Sequence, residues 1–300
     1  MTPTRIDPNV PAQVAQAQDL LSRILAAGGH RYAIHPGDLA WWIYHADPRT
    51  AHGLSYWLVR DRALIVLDAS AAEVCMFALP DVPTRPLLDW AQHELGGAAA
   101  VALVSTADLA LEALLSAAGY APAGHTMSCF QREVALPLEG SPLAPGWCVR
   151  AVQGEHEADA RRAASHSAFR STMAPSVHLA RYLGFMRSPA YVAERDLVAV
   201  DLDGRVGSFL VWWADERTRT AQLEPVGTHA SFQRQGLARA VLLHALSQMR
   251  EHGITTVRVC TDDHRTDAVG FYRATSFTRV AGLRSWKPAA RSGAAGLAHS

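Results

Sequence analysis

Leu223-Glu-Pro-Val-Gly-Thr-His-Ala-Ser-Phe-Gln-Arg-Gln-Gly-Leu-Ala-Arg-Ala-Val-Leu-Leu243 is the stretch on which the reading of this chain turns. Residues 220–226 read as a strand. After a turn of small and polar residues, a helix begins near Leu237, with apolar side chains returning at Val241, Leu242, Ala245, Leu246 and Met249. That is a helical period with one buried face. Between strand and helix lies Gln233-Arg234-Gln235-Gly236-Leu237-Ala238. A glycine there lets the backbone turn sharply and approach a ligand closely. The first N–H groups of the following helix have no partner inside it, and the helix dipole makes that end favourable for an anion. A glycine before a helix is also an ordinary turn, so the phosphate-holding reading depends on what surrounds it.

Composition bounds the alternatives. The 300 residues are 49% hydrophobic and 19% charged, with a formal net charge of zero. This is a globular composition, long enough for two domains. It gives no broad basic surface for nucleic acid. The N-terminal stretch has no apolar core of signal-peptide type, and no window approaches eighteen uninterrupted apolar residues, so neither a leader nor a membrane span is expected. The four cysteines, Cys75, Cys129, Cys148 and Cys260, are far apart with no Cys-x-x-Cys pair, which points to free thiols in a reduced, cytoplasmic protein.

Outward from the central stretch, the chain divides at 139–146, a Gly/Pro/Ser-dense linker without periodicity. The first part, 1–138, is expected to hold helices at 10–27 and 39–45, a hairpin at 54–59 and 63–68, strands at 73–79, 98–105 and 125–136, and helices at 87–95 and 109–117; His35-Pro-Gly-Asp38 reads as a turn. The second part, 147–288, has strands at 147–152, 197–202, 205–213, 220–226, 255–261 and 277–286. Its helices fall at 155–169, 175–187, 237–252 and 266–274. Residues 289–300 are Ala/Gly/Ser-rich and expected to be disordered. The two parts share one order of elements, a hairpin, a third strand, a helix, an apolar strand, a helix and a final strand. This suggests an internal repeat.

Two motifs in the second part resemble those of the GNAT acetyltransferases. Gln233-x-x-Gly236-x-Ala238 matches that family's Q/R-x-x-G-x-G/A loop, in the expected place after a strand and opening a helix. Ala268-x-x-Phe271-Tyr272-x-x-x-Ser276-Phe277 resembles its A-x-x-L-Y-x-x-x-G-F segment. The resemblance covers 147–288 by motif and 30–138 by architecture alone. With the repeat, it looks like the tandem type of the family, the layout of mycothiol synthase. It implies an α/β fold of two GNAT-like domains, each a mixed, largely antiparallel sheet flanked by helices, with a splayed central strand pair. It also implies acetyl-CoA as cosubstrate, no metal, and a small-molecule or peptide amine as acceptor, with no nucleic-acid or membrane partner.

Residue by residue, the family's pantetheine-binding strand end falls on Val226, Gly227 and Thr228. Its pyrophosphate loop falls on the N–H groups of Arg234, Gln235, Gly236, Leu237, Ala238 and Arg239, with Gln233 as a side-chain contact. Tyr272 matches the tyrosine that protonates the departing thiolate. Glu224, two residues before Val226, is a candidate base; alternation along a strand would put both side chains on one face. A structural glutamate fits that position equally. Departures from the pattern are Arg265, where an Asn is usual, and Ser276, where a Gly is usual.

The first part lacks the loop. Pro80-Asp-Val-Pro-Thr-Arg-Pro86 has no glycine, and three prolines withhold the N–H groups that would cradle phosphate. Laying Gly119-Tyr120 on Ser276-Phe277 puts Leu115 opposite Tyr272, so the phenol is missing too. The first part is therefore expected to be a degenerate domain that is structural or walls the acceptor site. Three readings compete: direct acetyl transfer to an amine, a mycothiol-synthase-like acetylation of a cysteinyl amine, and a CoA sensor without turnover. Asp262-Asp263-His264 reads as a polar loop rather than a metal site. Trp41-Trp42 and Trp212-Trp213 read as packing, with one of each pair able to line an acceptor pocket.

Overall fold

In a computed structural model the described residues are 2–28, 34–45, 53–97, 99–140 and 143–289. Most of the expected tail and part of the expected linker, Ser141 and Pro142, lie outside them. Their elements are β1 (Thr4–Ile6), α1 (Pro11–Gly28), α2 (Pro36–Tyr44), β2 (Leu54–Val59), β3 (Ala63–Asp68), β4 (Glu73–Ala78), α3 (Thr84–Glu94), β5 (Ala100–Ser105), α4 (Leu109–Ala117) and β6 (Tyr120–Glu133) in the first half. The second half has β7 (Cys148–Ala151), α5 (Ala158–Ala168), α6 (Pro175–Met186), β8 (Asp196–Val200), β9 (Val206–Asp215), β10 (Thr220–Thr228), α7 (Leu237–Glu251), β11 (Thr256–Asp262), α8 (Thr266–Ala274) and β12 (Thr278–Pro288).

These strands form one mixed sheet in the order β1-β2-β3-β4-β5-β12-β6-β11-β10-β9-β8-β7, with helices on its faces. The order carries a crossing that element order alone does not reveal. β12, last in the chain, lies between β5 and β6 of the first half, and β6 pairs with β11 of the second. The cores follow the exchange: Trp286 of β12 is buried with Leu87, Val101 and Tyr120, while Phe130 of β6 and Val134 just after it are buried with the α7 face.

β6 also brings Cys129 opposite Cys260, 131 residues away, and the two form a disulfide. The expectation of four free thiols is corrected here. Spacing along the chain did not reveal a pair made by two strands from different halves. Cys75 and Cys148 are free.

The feature that positions the site is a parting of strands. β10 pairs with β9 as far as Thr228, but with β11 only from Thr220 to Gln222. Beyond Gln222 the parallel pair opens into a cleft. The register of β10 on β9 also shifts between Leu223 and Val226, a β-bulge. Pro225 lies inside it, with no N–H to give a ladder. The bulge overturns the expectation that Glu224 and Val226 share a face. Val226 pairs with Leu210 and packs against the α7 core, as Leu223 does, whereas Glu224 turns to the other face, toward α2. Among the described residues, no helix is long and apolar enough to cross a membrane.

Candidate active site

The cleft between β10 and β11 is a cavity of about 380 Å³, and it brings Glu224, Val226 and Tyr272 together. Tyr272 comes from α8, whose start is fixed by backbone bonds such as Arg265 N–H to Asp262 C=O. Its ring is held by Phe130, Phe271 and Phe277 at centroid distances of 5.8, 5.5 and 5.5 Å. Burial is the main influence on the phenol and raises its pKa, so it stays protonated. Glu224 is also held well above the ordinary carboxyl range, first by burial and then by the neighbouring Asp38 carboxyl.

The end of β10 leads into the turn. Gly227 has no room for a side chain, since a Cβ would stand 2.4 Å from Phe209 and 2.8 Å from Ala168. Its carbonyl accepts the Ser208 hydroxyl at 2.9 Å, and Ser208 also bonds the Thr228 hydroxyl at 3.1 Å. A 3-10 turn at Ala230–Phe232 follows, capped by the His229 side chain on Ser231 N–H. Arg234 (φ 63°) and Gly236 (φ 80°) then take left-handed backbone, which delivers the chain to α7. Gly236 is the N-cap and supplies no side-chain acceptor. Ala240 N–H is the first to bond back, to Gly236 C=O at 3.0 Å, so the preceding N–H groups have no carbonyl one turn behind them. Nothing lies within 4 Å of where a Gly236 Cβ would be. An open space faced by helix N–H groups fits a pyrophosphate.

Other expected residues divide between backbone and side-chain roles. Leu237 points into the core. The Arg239 guanidinium donates to Glu139 C=O at 2.6 Å and tethers the linker. Arg265 lines the cleft over the Phe169 ring at 5.6 Å. Asp263 accepts from the Thr126 and Ser128 hydroxyls, consistent with the polar-loop reading.

The far end of the cleft comes partly from the first half. Trp41 of α2 stacks on His45 at 3.8 Å, beside His178 and Arg181 of α6. Arg181 Nε donates to His45 C=O at 2.9 Å. Burial, with nearby cations, pushes His45 down to about 2 and His178 down to about 4, so both rings are neutral. Trp212 and Trp213 are packed away from this cavity, with Nε1 of Trp213 donating to Glu224 C=O at 2.8 Å.

The sequence did not single out two buried residues behind Glu224: Asp38, beside its carboxyl, and Arg258, whose charge acts on Asp38. The sequence expects Asp38 in a turn. His35-x-x-Asp38 is instead a capping box that opens α2: His35 Nδ1 accepts Gly37 N–H at 3.0 Å, and Asp38 Oδ2 accepts His35 N–H at 2.7 Å.

The first half has its own parting of parallel strands, with β4 and β5 paired only at Glu73 and Val74. A cavity of about 540 Å³ lies beside it, lined by Tyr56, Cys75, Leu103 and Met127 among others. The loop before α3 carries Pro80 and Pro83, with Pro83 as the helix N-cap.

Residues 159–277 match the model of the acetyltransferase (GNAT) family. No functionally curated protein matches the chain in sequence. Among solved structures, a GCN5-related N-acetyltransferase from Sphaerobacter thermophilus is 17% identical, with 94% of this chain and 95% of that one covered at a TM-score of 0.59. A tandem GNAT protein from the clavulanic acid biosynthesis pathway is 14% identical, with 95% and 97% covered at 0.66. A GNAT-family acetyltransferase from Colwellia psychrerythraea is 13% identical, with 96% and 99% covered at 0.64. At these identities the likeness is one of fold, and it spans both halves. Residues 159–277 thus carry the signature of the acetyltransferase (GNAT) family, and the chain as a whole is similar in fold to proteins of that family.

Proposed function

We propose that the protein is an acetyl-CoA-dependent N-acetyltransferase that transfers acetyl directly to the amine of a small molecule or peptide. The observation that carries this reading is the parting of β10 from β11 beyond Gln222. It creates a cleft where Glu224 and Tyr272 meet, and the strand that edges it runs on into the left-handed turn at Gly236. Acetyl-CoA supplies the activated acyl group as a thioester. The N–H groups from Arg234 to Arg239 and the Gln233 side chain hold the pyrophosphate. The backbone of Val226, Gly227 and Thr228 orients the arm, and Val226 N–H faces the developing oxyanion. Glu224 takes the proton that an amine must lose before it attacks. Tyr272, buried and protonated, donates to the departing sulfur.

In this reading catalysis belongs to the second half, 147–288. The first half, 1–138, has lost the phosphate loop and serves to wall the acceptor end through Trp41 and His45. The Trp41 and His45 rings there, with the Arg181 guanidinium beside them, suit a flat or apolar group next to the acceptor amine.

Isothermal titration of acetyl-CoA and CoA into wild type and Gly236→Glu tests the assignment. One site per chain is expected, lost in the variant. The space around Gly236 is open but its left-handed backbone (φ 80°) disfavours a side chain, so the variant both strains the turn and puts a negative charge where the phosphates bind. Two sites would overturn the degenerate role of the first half. No binding would overturn acetyl transfer. A panel of amines, followed by release of the CoA thiol, then identifies the acceptor.

A further inference from the structure

The first half sends a carboxyl group under β10. Asp38 sits in the first turn of α2 and is 5% exposed. It reaches β10 because Gly37 lies flat on β9, where a Cβ would fall 2.3 Å from Trp213 Cβ. The Asp38 and Glu224 carboxyls lie close enough for a hydrogen bond between them, and Asp38 Oδ1 is buried without another partner among the described residues. Ionised carboxylates only accept, and Asp38 Oδ1 finds no N–H donor among the described residues, so the bond requires a proton on one of the two.

The surrounding charges favour keeping that proton. Arg258 of β11, in register with Gln222, is a buried cation acting on Asp38, and one guanidinium balances one carboxylate rather than two. His35, at the start of α2, is buried and neutral, with Arg258 and Asp215 of β9 beside it. From α8 the Tyr272 phenol lines the same cleft as Glu224 and feels its charge, with those of Arg265 and Asp267.

We propose that Asp38 is a positioning residue: it shares one proton with Glu224 and so makes that carboxyl a strong enough base to deprotonate an ammonium acceptor. This rests on the acetyl-transfer reading of the cleft. With the pair fully ionised, an N–H bond of the incoming ammonium breaks, its electron pair stays on nitrogen, and an O–H bond forms on Glu224, where Asp38 hydrogen-bonds to it. The proton passes to water before the next turnover. The helix of one half thereby completes the chemistry of the other.

Asp38→Asn is the variant of choice, because the amide oxygen can still accept His35 N–H and the amide nitrogen can donate to Glu224. Two measurements follow, with retained acetyl-CoA binding as the check that the variant folds. In the pH dependence of kcat/KM with the best acceptor, the acid limb should move to lower pH by about one unit or more, because a like charge beside Glu224 is gone. The plateau should fall as the base weakens.

The second measurement needs no ligand. A raised folded pKa gives stability that is present below the ordinary carboxyl value of 4.5 and lost as pH rises through the folded one. Wild-type Tm should therefore fall with rising pH in that window relative to both Asp38→Asn and Glu224→Gln. His45 and His178 titrate in all three proteins, and their effect cancels in the difference; His35, which donates its N–H to Asp38, keeps that bond in Glu224→Gln, so that comparison is free of it. An unchanged acid limb and an unchanged Tm slope in Asp38→Asn would overturn the shared proton. Should Asp38→Asn not fold, Glu224→Gln against wild type decides, and equal slopes would overturn it. Absence of acetyl-CoA binding by wild type would instead fall on acetyl transfer, with the Tm comparison still judging the proton.

Discussion

Tyr272 and Glu224 come from different elements, and the roles proposed for them separate cleanly by substitution. Tyr272→Phe keeps the ring among Phe130, Phe271 and Phe277 and removes only the donor. It should lower kcat by about 10²-fold or more, in the range of general acid catalysis, with acetyl-CoA affinity unchanged by titration. A protein that only holds CoA would show no difference between the two forms. Glu224→Gln should lower kcat/KM by a similar factor across the pH range, since an amide cannot take the proton. The neutral imidazoles make a separate prediction. His35, His45 and His178 are held down to about 3, 2 and 4, from an ordinary value of 6.5. A depressed histidine contributes stability above its ordinary value and loses it as pH falls toward the folded one. Thermal melts should thus show Tm dropping below about pH 6.5, and less steeply in His45→Asn. The turn and helix that carry Gln233 to Arg239, and the helix that carries Tyr272, were legible in the sequence because loop and helix geometry is local. Asp38 was not, because its meaning comes from Glu224, which lies in the other half of the chain.

At the scale of elements, helical and strand periods gave most bounds to within a few residues. The failures have physical causes. β1 is three residues long, too short to show a period, and forms because it pairs with β2. The bulge in β10 follows from Pro225, which was visible, but alternation was read through it. α2 begins at Pro36 rather than 39, because a histidine does the capping that Ser or Asp more often does. That helix tests how the site is assembled. A methyl group at Gly37 would press on Trp213, so Gly37→Ala should cost about 1–3 kcal/mol, the range for an overpacked core, measurable by urea unfolding. It should also lower kcat/KM with little change in acetyl-CoA affinity, because α2 carries Asp38 and Trp41 while the Gly236 turn lies on another element. Equal losses of both would mean that α2 supports the whole cleft rather than its acceptor side.

For the whole molecule, the exchange of β6 and β12 ties the halves together more closely than a linker does. The repeat was legible as an order of elements, but sheet order comes from pairing between residues far apart in the chain, which period and turn chemistry do not encode. If the cut is made at the linker, residues 1–138 keep β6 but lose β12, the strand that joins it to β5. Residues 147–288 keep β12 but lose β6, which joins it to β11. Each fragment would expose a row of unpaired backbone groups in the middle of a sheet, together with the apolar surface that the absent strand covers. Neither half should therefore give a cooperative melt alone, and the two co-expressed should copurify and recover acetyl-CoA binding. Trp286 gives the graded version. It is 5% exposed and packs in the first-half core although it lies near the end of the second half. Trp286→Ala should cost about 3–5 kcal/mol. Because β12 is hydrogen-bonded to both β5 and β6, the loss should appear as one transition at lower denaturant, with the first half and the proposed acetyl-CoA site unfolding together. Two resolved transitions, with the acetyl-CoA site surviving the first, would show that the halves fold as independent units despite the exchanged strands.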